Sequence, residues 1–66
     1  MINESKVLEV VKSVTNEEAY FFEGTLFVKT VDSRVAINLF NALREKVTAA
    51  LAIQKVGSET AYDFLG

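Results

Sequence analysis

The sequence predicts a small α+β domain in which a helix and a β-hairpin alternate twice. Two segments carry apolar residues at helical spacing, and two pairs of short alternating segments are each joined by a two-residue loop that contains glycine. Half of the 66 residues are hydrophobic, which suits a packed core of helices on one face of an antiparallel sheet. We therefore expect a single domain spanning residues 1–66, with the order α-β-β-α-β-β.

The first helix is predicted over residues 4–15. At about 100° per residue, four valines fall on one face and the charged residues fall opposite. These valines are Val7, Val10, Val11 and Val14. A strand would mix lysines with valines on one side, so a helix is favoured, although β-branched residues lower its propensity. Asn3 can cap the start of this helix.

Residues 18–22 and 25–31 form the first predicted hairpin. The loop between them has Gly24 as its second residue, which suits a tight turn that needs positive φ. With this loop Glu18 faces Lys29 across the strands, and an opposite-charge pair supports that register.

The second helix is predicted from Ser33 to about Val47, with Asp32 as its N-cap. Its apolar residues cover a wide arc and need a sheet beneath them. The exposed side holds two cations and a solitary apolar residue: Arg34, Arg44 and Ile37. A groove for an acidic partner there is the less favoured interpretation, because one isolated apolar residue on a surface needs no explanation.

The last twenty residues allow two interpretations. Alternation in residues 51–56 and 60–65 predicts a second hairpin around Gly57, with Ile53 paired with Tyr62. The alternative is that the second helix extends to about residue 56 and stops at Gly57, leaving only one hairpin. The hairpin is favoured because the longer helix would leave the final strand without a partner.

The order of the strands follows from the connection through the second helix. A right-handed crossover that skips one position places the last strand beside the second, so the sheet order is 3-4-2-1. With both helices on one face, this layout resembles a circularly permuted ferredoxin-like fold, with the first strand moved to the end. The resemblance is topological and indicates no family.

The composition excludes several classes of chemistry. The chain has no Cys and no His, so it cannot form disulfides, thiolate or imidazole zinc sites, or catalytic triads that use imidazole. Its nine acidic residues lack the spacing of a metal-binding loop. We expect no catalytic residue, no metal site, no cofactor and no enzymatic activity.

The N-terminal segment lacks the pattern of a signal peptide. The longest uninterrupted apolar run, residues 49–53, is far shorter than the roughly 20 residues that a membrane span needs. We expect a soluble cytoplasmic protein that does not associate with membranes. A short complete chain that keeps its Met1 is also compatible with a bacterial or phage reading frame.

Alternate residues of each strand point to opposite faces of the sheet, and both helices are expected on one of these faces. The other face has no helix to cover it. The large apolar residues predicted on that face are Tyr20, Phe22, Phe27, Val56 and Leu65. They would form an apolar patch on the order of several hundred Å², which monomers rarely leave open. We therefore predict a protein–protein interaction surface that forms a homodimer or, failing that, binds a different protein.

The same aromatic residues suggest an alternative function. Tyr20, Phe22 and Phe27 could stack against the bases of a single-stranded nucleic acid. Nucleic-acid binding depends largely on the neutralisation of phosphates, and Lys29 is the only basic residue predicted on this face. Nucleic-acid binding is therefore the less favoured function.

Overall fold

The computed structural model describes residues 3–47 and 51–65, which form two helices and a four-stranded antiparallel sheet. The elements in chain order are α1 (Glu4–Val14), β1 (Ala19–Phe22), β2 (Thr25–Val28), α2 (Ser33–Val47), β3 (Leu51–Val56) and β4 (Glu59–Phe64). The strand order is β1-β2-β4-β3, so β2 and β4 are central. This is the predicted order read from the other edge, and it is compatible with a permuted ferredoxin-like layout.

Both helices begin at the predicted polar caps. The Asn3 Oδ1 atom accepts a hydrogen bond from the Lys6 amide at 3.2 Å, and Asp32 Oδ1 accepts one from the Arg34 amide at 2.9 Å. These side chains satisfy amide groups that have no partner inside the first helical turn. Within the described ranges, neither helix is long and apolar enough to cross a membrane.

The two hairpins have the predicted registers. Tyr20 pairs with Phe27 in the first hairpin, and Ile53 pairs with Tyr62 in the second. Because β3 begins at residue 51, the alternative in which α2 continues to about residue 56 is wrong. Residues 48–50, on which part of that alternative depended, lie outside the described residues.

One predicted strand is longer than the observed one. β2 was expected to reach residue 31 but ends at Val28, because the Thr30 amide donates to the Val28 carbonyl at 2.8 Å and turns the chain out of the sheet. The Thr60 hydroxyl then donates to the Thr30 carbonyl at 2.9 Å and holds this turn against β4. The other predicted boundaries differ from the observed ones by no more than one residue.

The core lies between the two helices and one face of the sheet. Its fully buried large side chains are Val7, Val11, Leu26, Val28, Leu39, Leu43 and Tyr62. The Tyr62 hydroxyl donates to the Ala36 carbonyl at 2.9 Å, which joins α2 to the central strand β4. Since both helices pack on this side, the opposite side of the sheet is not covered by either of them.

Candidate functional site: the open sheet face

We call the side of the sheet opposite the helices the open face. The strand register arranges its side chains in three rows across the strands. The first row holds Glu18, Lys29, Glu59 and Val56. The middle row holds Tyr20, Phe27, Ala61 and Gln54. The third row holds Phe22, Thr25, Asp63 and Ala52.

Three aromatic side chains form a raised ridge along β1 and β2. The rings of Tyr20 and Phe27 stack with their centroids 5.4 Å apart and their planes at 15°. Phe22 is 60% exposed and Tyr20 is 40% exposed, whereas Phe27 is partly buried. We call Tyr20, Phe22 and Phe27 the aromatic ridge. The structure therefore brings together three of the residues that the sequence predicted as an interaction surface.

In the middle and third rows, the half of the open face formed by β4 and β3 carries smaller side chains than the aromatic ridge. Ala61 lies between Phe27 and Gln54 in the register and is only 3% exposed, and Ala52 lies on the edge strand β3. We call Ala52 and Ala61, with the exposed Gln54 beside them, the shallow half. Along these two rows the side chains of the open face thus change from aromatic rings on β1 and β2 to smaller groups on β4 and β3.

The charged side chains of the first row take part in an ion pair and a hydrogen bond within the chain. The Lys29 ammonium lies 3.1 Å from Glu18 Oε2, and this hydrogen bond to the carboxylate raises the pKa of Lys29 above its ordinary value. The Tyr20 hydroxyl donates to Glu59 Oε1 at 2.8 Å, which raises the pKa of Tyr20 in the same way. Both groups therefore stay protonated at neutral pH.

Acidic groups outnumber basic ones on the open face. Glu18, Glu59 and Asp63 accompany the single cation Lys29, and Asp63 accepts a hydrogen bond from the Thr25 hydroxyl at 2.7 Å. A surface of this charge repels a phosphate backbone. The charge of the open face is therefore unfavourable for contact with a nucleic-acid backbone.

The remaining two predicted surface residues lie at the ends of the open face. Val56 is exposed at the end of β3 in the charged row, and Leu65 is exposed one residue beyond the end of β4. They are not brought into contact with the aromatic ridge by this arrangement. The candidate surface is consequently centred on Tyr20, Phe22 and Phe27.

Among the described residues, no three acidic side chains converge as metal ligands. A depression of about 470 Å³ lies between the end of α1 and the start of β1, and the charged residues that line it, Lys12, Glu17 and Glu18, are exposed. The expectation that the protein is not an enzyme stays a prediction.

Sequence reasoning missed a second apolar surface. Val31, Ile37 and Ile53 line a groove between the first half of α2 and the edge strand β3, and Ile53 is 38% exposed although it was expected to lie beneath the helices. Ile53 is distant in the sequence from Val31 and Ile37, and only the position of α2 on the sheet brings them together. The one sequence feature that could have indicated this groove was the apolar residue Ile37 on the otherwise polar side of α2.

The open face and this groove thus both expose apolar side chains. Comparison of the chain with protein-family models, with curated proteins and with solved structures finds no match.

Proposed function

We propose that this protein is a small non-catalytic interaction module that self-associates as a homodimer through the open face. The aromatic ridge carries the proposal, because exposed apolar clusters on small proteins usually mark interaction sites. Size supports it as well. A chain of 66 residues is shorter than the roughly 70–80 residues at which a single core usually suffices, and dimerisation is one way to extend the core.

The distribution of large and small side chains on the open face favours one arrangement of the two copies in the dimer. A two-fold axis parallel to the strands, running between β2 and β4, places β1 of one copy over β3 of the other. Each aromatic ridge then faces the shallow half of the second copy. An axis across the strands would instead place ridge against ridge. Aligned sheets about 10 Å apart are a common packing arrangement, and a two-fold interface uses the same patch on both copies.

The charges on the open face fit the same axis. This symmetry keeps the two charged rows at the same end, and it places Lys29 of each copy opposite Glu59 of the other. Two symmetry-related ion pairs would therefore border the apolar contact. Complementary charges at a rim chiefly favour the correct orientation and the rate of association.

The size of the face indicates a modest affinity. Four strands about 4.8 Å apart and six residues at about 3.3 Å each give a face of roughly 19 by 20 Å. A flat contact over it would bury roughly 800 Å² in total from the two copies, which is below the roughly 1,200–2,000 Å² of stable specific interfaces. A single copy has an accessible surface of 4377 Å². We therefore expect a dimer that dissociates on dilution.

Sedimentation at several concentrations tests the proposal. Phe22→Glu removes the most exposed ridge side chain and should give a monomer under conditions in which the wild type is a dimer. Ile37→Glu is the matched control, because Ile37 is about as exposed but lies on α2 away from the open face. A wild type that stays monomeric throughout, or a Phe22→Glu variant that dimerises normally, would refute self-association through this face.

A charge exchange tests the symmetry. Lys29→Glu should weaken self-association by adding an acid opposite Glu59 of the second copy, and Glu59→Lys should weaken it by adding a base opposite Lys29. An equimolar mixture of the two variants should associate more tightly than either variant alone, because opposite charges then face each other across the dimer at both positions. A mixture that associates no better than the separate variants would contradict this symmetry.

The nucleic-acid alternative has less support because of the acidic open face. Filter binding to single-stranded oligonucleotides at low salt examines it directly. Retention that disappears in Phe22→Glu would favour stacking on the ridge over self-association. The expected cytoplasmic location stays a prediction.

A further inference from the structure

The edge strand β3 has the features of a strand that can accept another strand. It pairs with β4 over all six residues from Leu51 to Val56 without a bulge, and in the described chain no strand pairs with its outer edge. Protein edges are usually protected by short length, proline, bulges or charge. β3 has no proline, and Lys55 is its only charged residue. The opposite edge, β1, has only four residues and is flanked by Glu17, Glu18 and Glu23.

The helix side of β3 borders an apolar groove. We call this groove, lined by Val31, Ile37 and Ile53 with polar residues around them, the edge groove. Val31 and Ile37 are more than half exposed. The Tyr62 hydroxyl on the neighbouring strand β4 bonds to the Ala36 carbonyl of α2, and α2 also contacts β3. Ile53 is nevertheless 38% exposed, so α2 leaves part of the helix side of β3 uncovered.

The volume of the edge groove suits side chains better than a small molecule. It is about 250 Å³, and small-molecule sites usually start at about 300 Å³. A strand added along β3 would point alternate side chains into this space while its backbone pairs with the free edge. Strand addition of this kind combines backbone hydrogen bonds for affinity with side-chain pockets for specificity.

The charge of the edge groove indicates what the added strand carries. Lys55 lies two residues from Ile53 on the same side of β3, about 7 Å along the strand. None of the eight residues that line the groove is acidic, and Lys55 makes no salt bridge with the described residues. The complementary segment therefore has an acidic side chain two residues from an apolar one.

A second copy of the chain fits this edge less well. Its own β3 would present Lys55 rather than an acid. Its β1 edge is acidic, but pairing β1 with β3 from copy to copy would leave free edges at both ends and would not close. These points favour a different protein as the partner.

We propose that β3 and the edge groove bind an extended, acidic-apolar segment of a different protein by strand addition. The apolar side chain lies in the groove against Ile37 and Ile53, and the acidic side chain pairs with Lys55. This binding does not rest on self-association, because the open face lies on the other side of the sheet.

Selection from a library of random peptides displayed on phage, with the full chain as bait, tests this proposal. The selected sequences should share an apolar and an acidic residue at positions i and i+2. The affinity of the best synthetic peptide in solution should fall about tenfold with Ile37→Glu or with Lys55→Glu, equivalent to a loss of about 1.4 kcal/mol. Methylation of alternate peptide amides should abolish binding.

Two control variants locate the site. Lys46→Glu makes the same charge change as Lys55→Glu at an exposed position in the last turn of α2, and Phe22→Glu alters the open face. Both should bind the peptide as the wild type does. The proposal is overturned if no such sequence is enriched, or if the controls weaken binding as much as the groove variants do. It is also overturned if Lys55→Glu converts a wild-type dimer to a monomer, because a second copy would then occupy the edge.

Discussion

Replacing Tyr62 with phenylalanine should destabilise the protein at neutral pH and stabilise it in strong alkali. Tyr62 is fully buried, and its hydroxyl donates to the Ala36 carbonyl at 2.9 Å. Loss of this hydrogen bond should cost about 1 kcal/mol at pH 7. The cost stays modest because the carbonyl lies inside α2, where the helix offers it an amide partner.

The pH dependence follows from burial of the same hydroxyl. Burial raises the pKa of Tyr62 from 10.0 to about 12. The unfolded chain therefore loses this proton first, so the stabilisation is complete below pH 10 and is lost as the pH rises towards 12. Between these pH values the free energy of unfolding of the wild type falls by about 1.4 kcal/mol per pH unit, and the total loss is about 2–3 kcal/mol. Phenylalanine has no proton to lose, so the two stabilities should become equal near about pH 10.7.

Urea unfolding followed by circular dichroism, at one protein concentration and at several values between pH 7 and pH 12, measures both stabilities. Tyr20 and Lys29, whose pKa values are also raised, titrate in both proteins and cancel in the difference. Ultraviolet absorbance of tyrosinate adds a direct readout, since burial raises the pKa of Tyr62 in the native wild type to about 12. A stability difference that stays constant across this range would refute the buried, hydrogen-bonded placement of Tyr62.

The two hairpin turns give further predictions, both measured by urea unfolding. Glu23 has φ of 51° beside Gly24 at 80°, as in a type I′ turn, so Glu23→Asn should stabilise the fold by about 0.5–1 kcal/mol because asparagine tolerates this conformation better. A neutral or destabilising result would contradict positive φ at this position. Gly57 has φ of 61°, and a Cβ there would meet no atom within 4 Å, so Gly57→Ala should cost about 1 kcal/mol through backbone strain alone. Gly57→Asn should cost less, and equal losses for the two substitutions would argue against this explanation.

The hairpins and the strand order could be predicted because two-residue loops leave little freedom. Once Gly24 and Gly57 are placed in turns, the pairs Tyr20–Phe27 and Ile53–Tyr62 follow, and so does the side of the sheet to which each residue points. The exposure of Tyr20 and Phe22 was predictable for the same reason. Two helices can cover one side of the sheet, and the alternation of residues along the strands places the aromatic ridge on the other side.

The edge groove could not be predicted in this way. The alternation of residues along β3 places Ile53 on the helix side, but whether it is covered depends on where α2 lies across the sheet. That position is set by three-dimensional packing, including the contact of Tyr62 with Ala36, and leaves no periodic signal in the sequence. The end of β2 at Val28 was missed for a related reason, because a turn at Thr30 that is held by Thr60 from β4 depends on a distant residue.

Self-association through the open face and strand addition at β3 together predict a dimer with two binding sites for a partner. The two-fold axis that places each aromatic ridge on the shallow half of the second copy puts the two β3 edges on opposite sides of the dimer. Each edge and its groove stay free, so the dimer would offer two equivalent strand-addition sites facing away from each other. A partner with two suitable segments would then bind with an avidity that a monomer cannot provide, although each single site would keep its own affinity. The Phe22→Glu variant should therefore bind one soluble peptide normally and lose affinity only for a tethered pair of peptides, which links self-association to partner binding without any contact between the two surfaces.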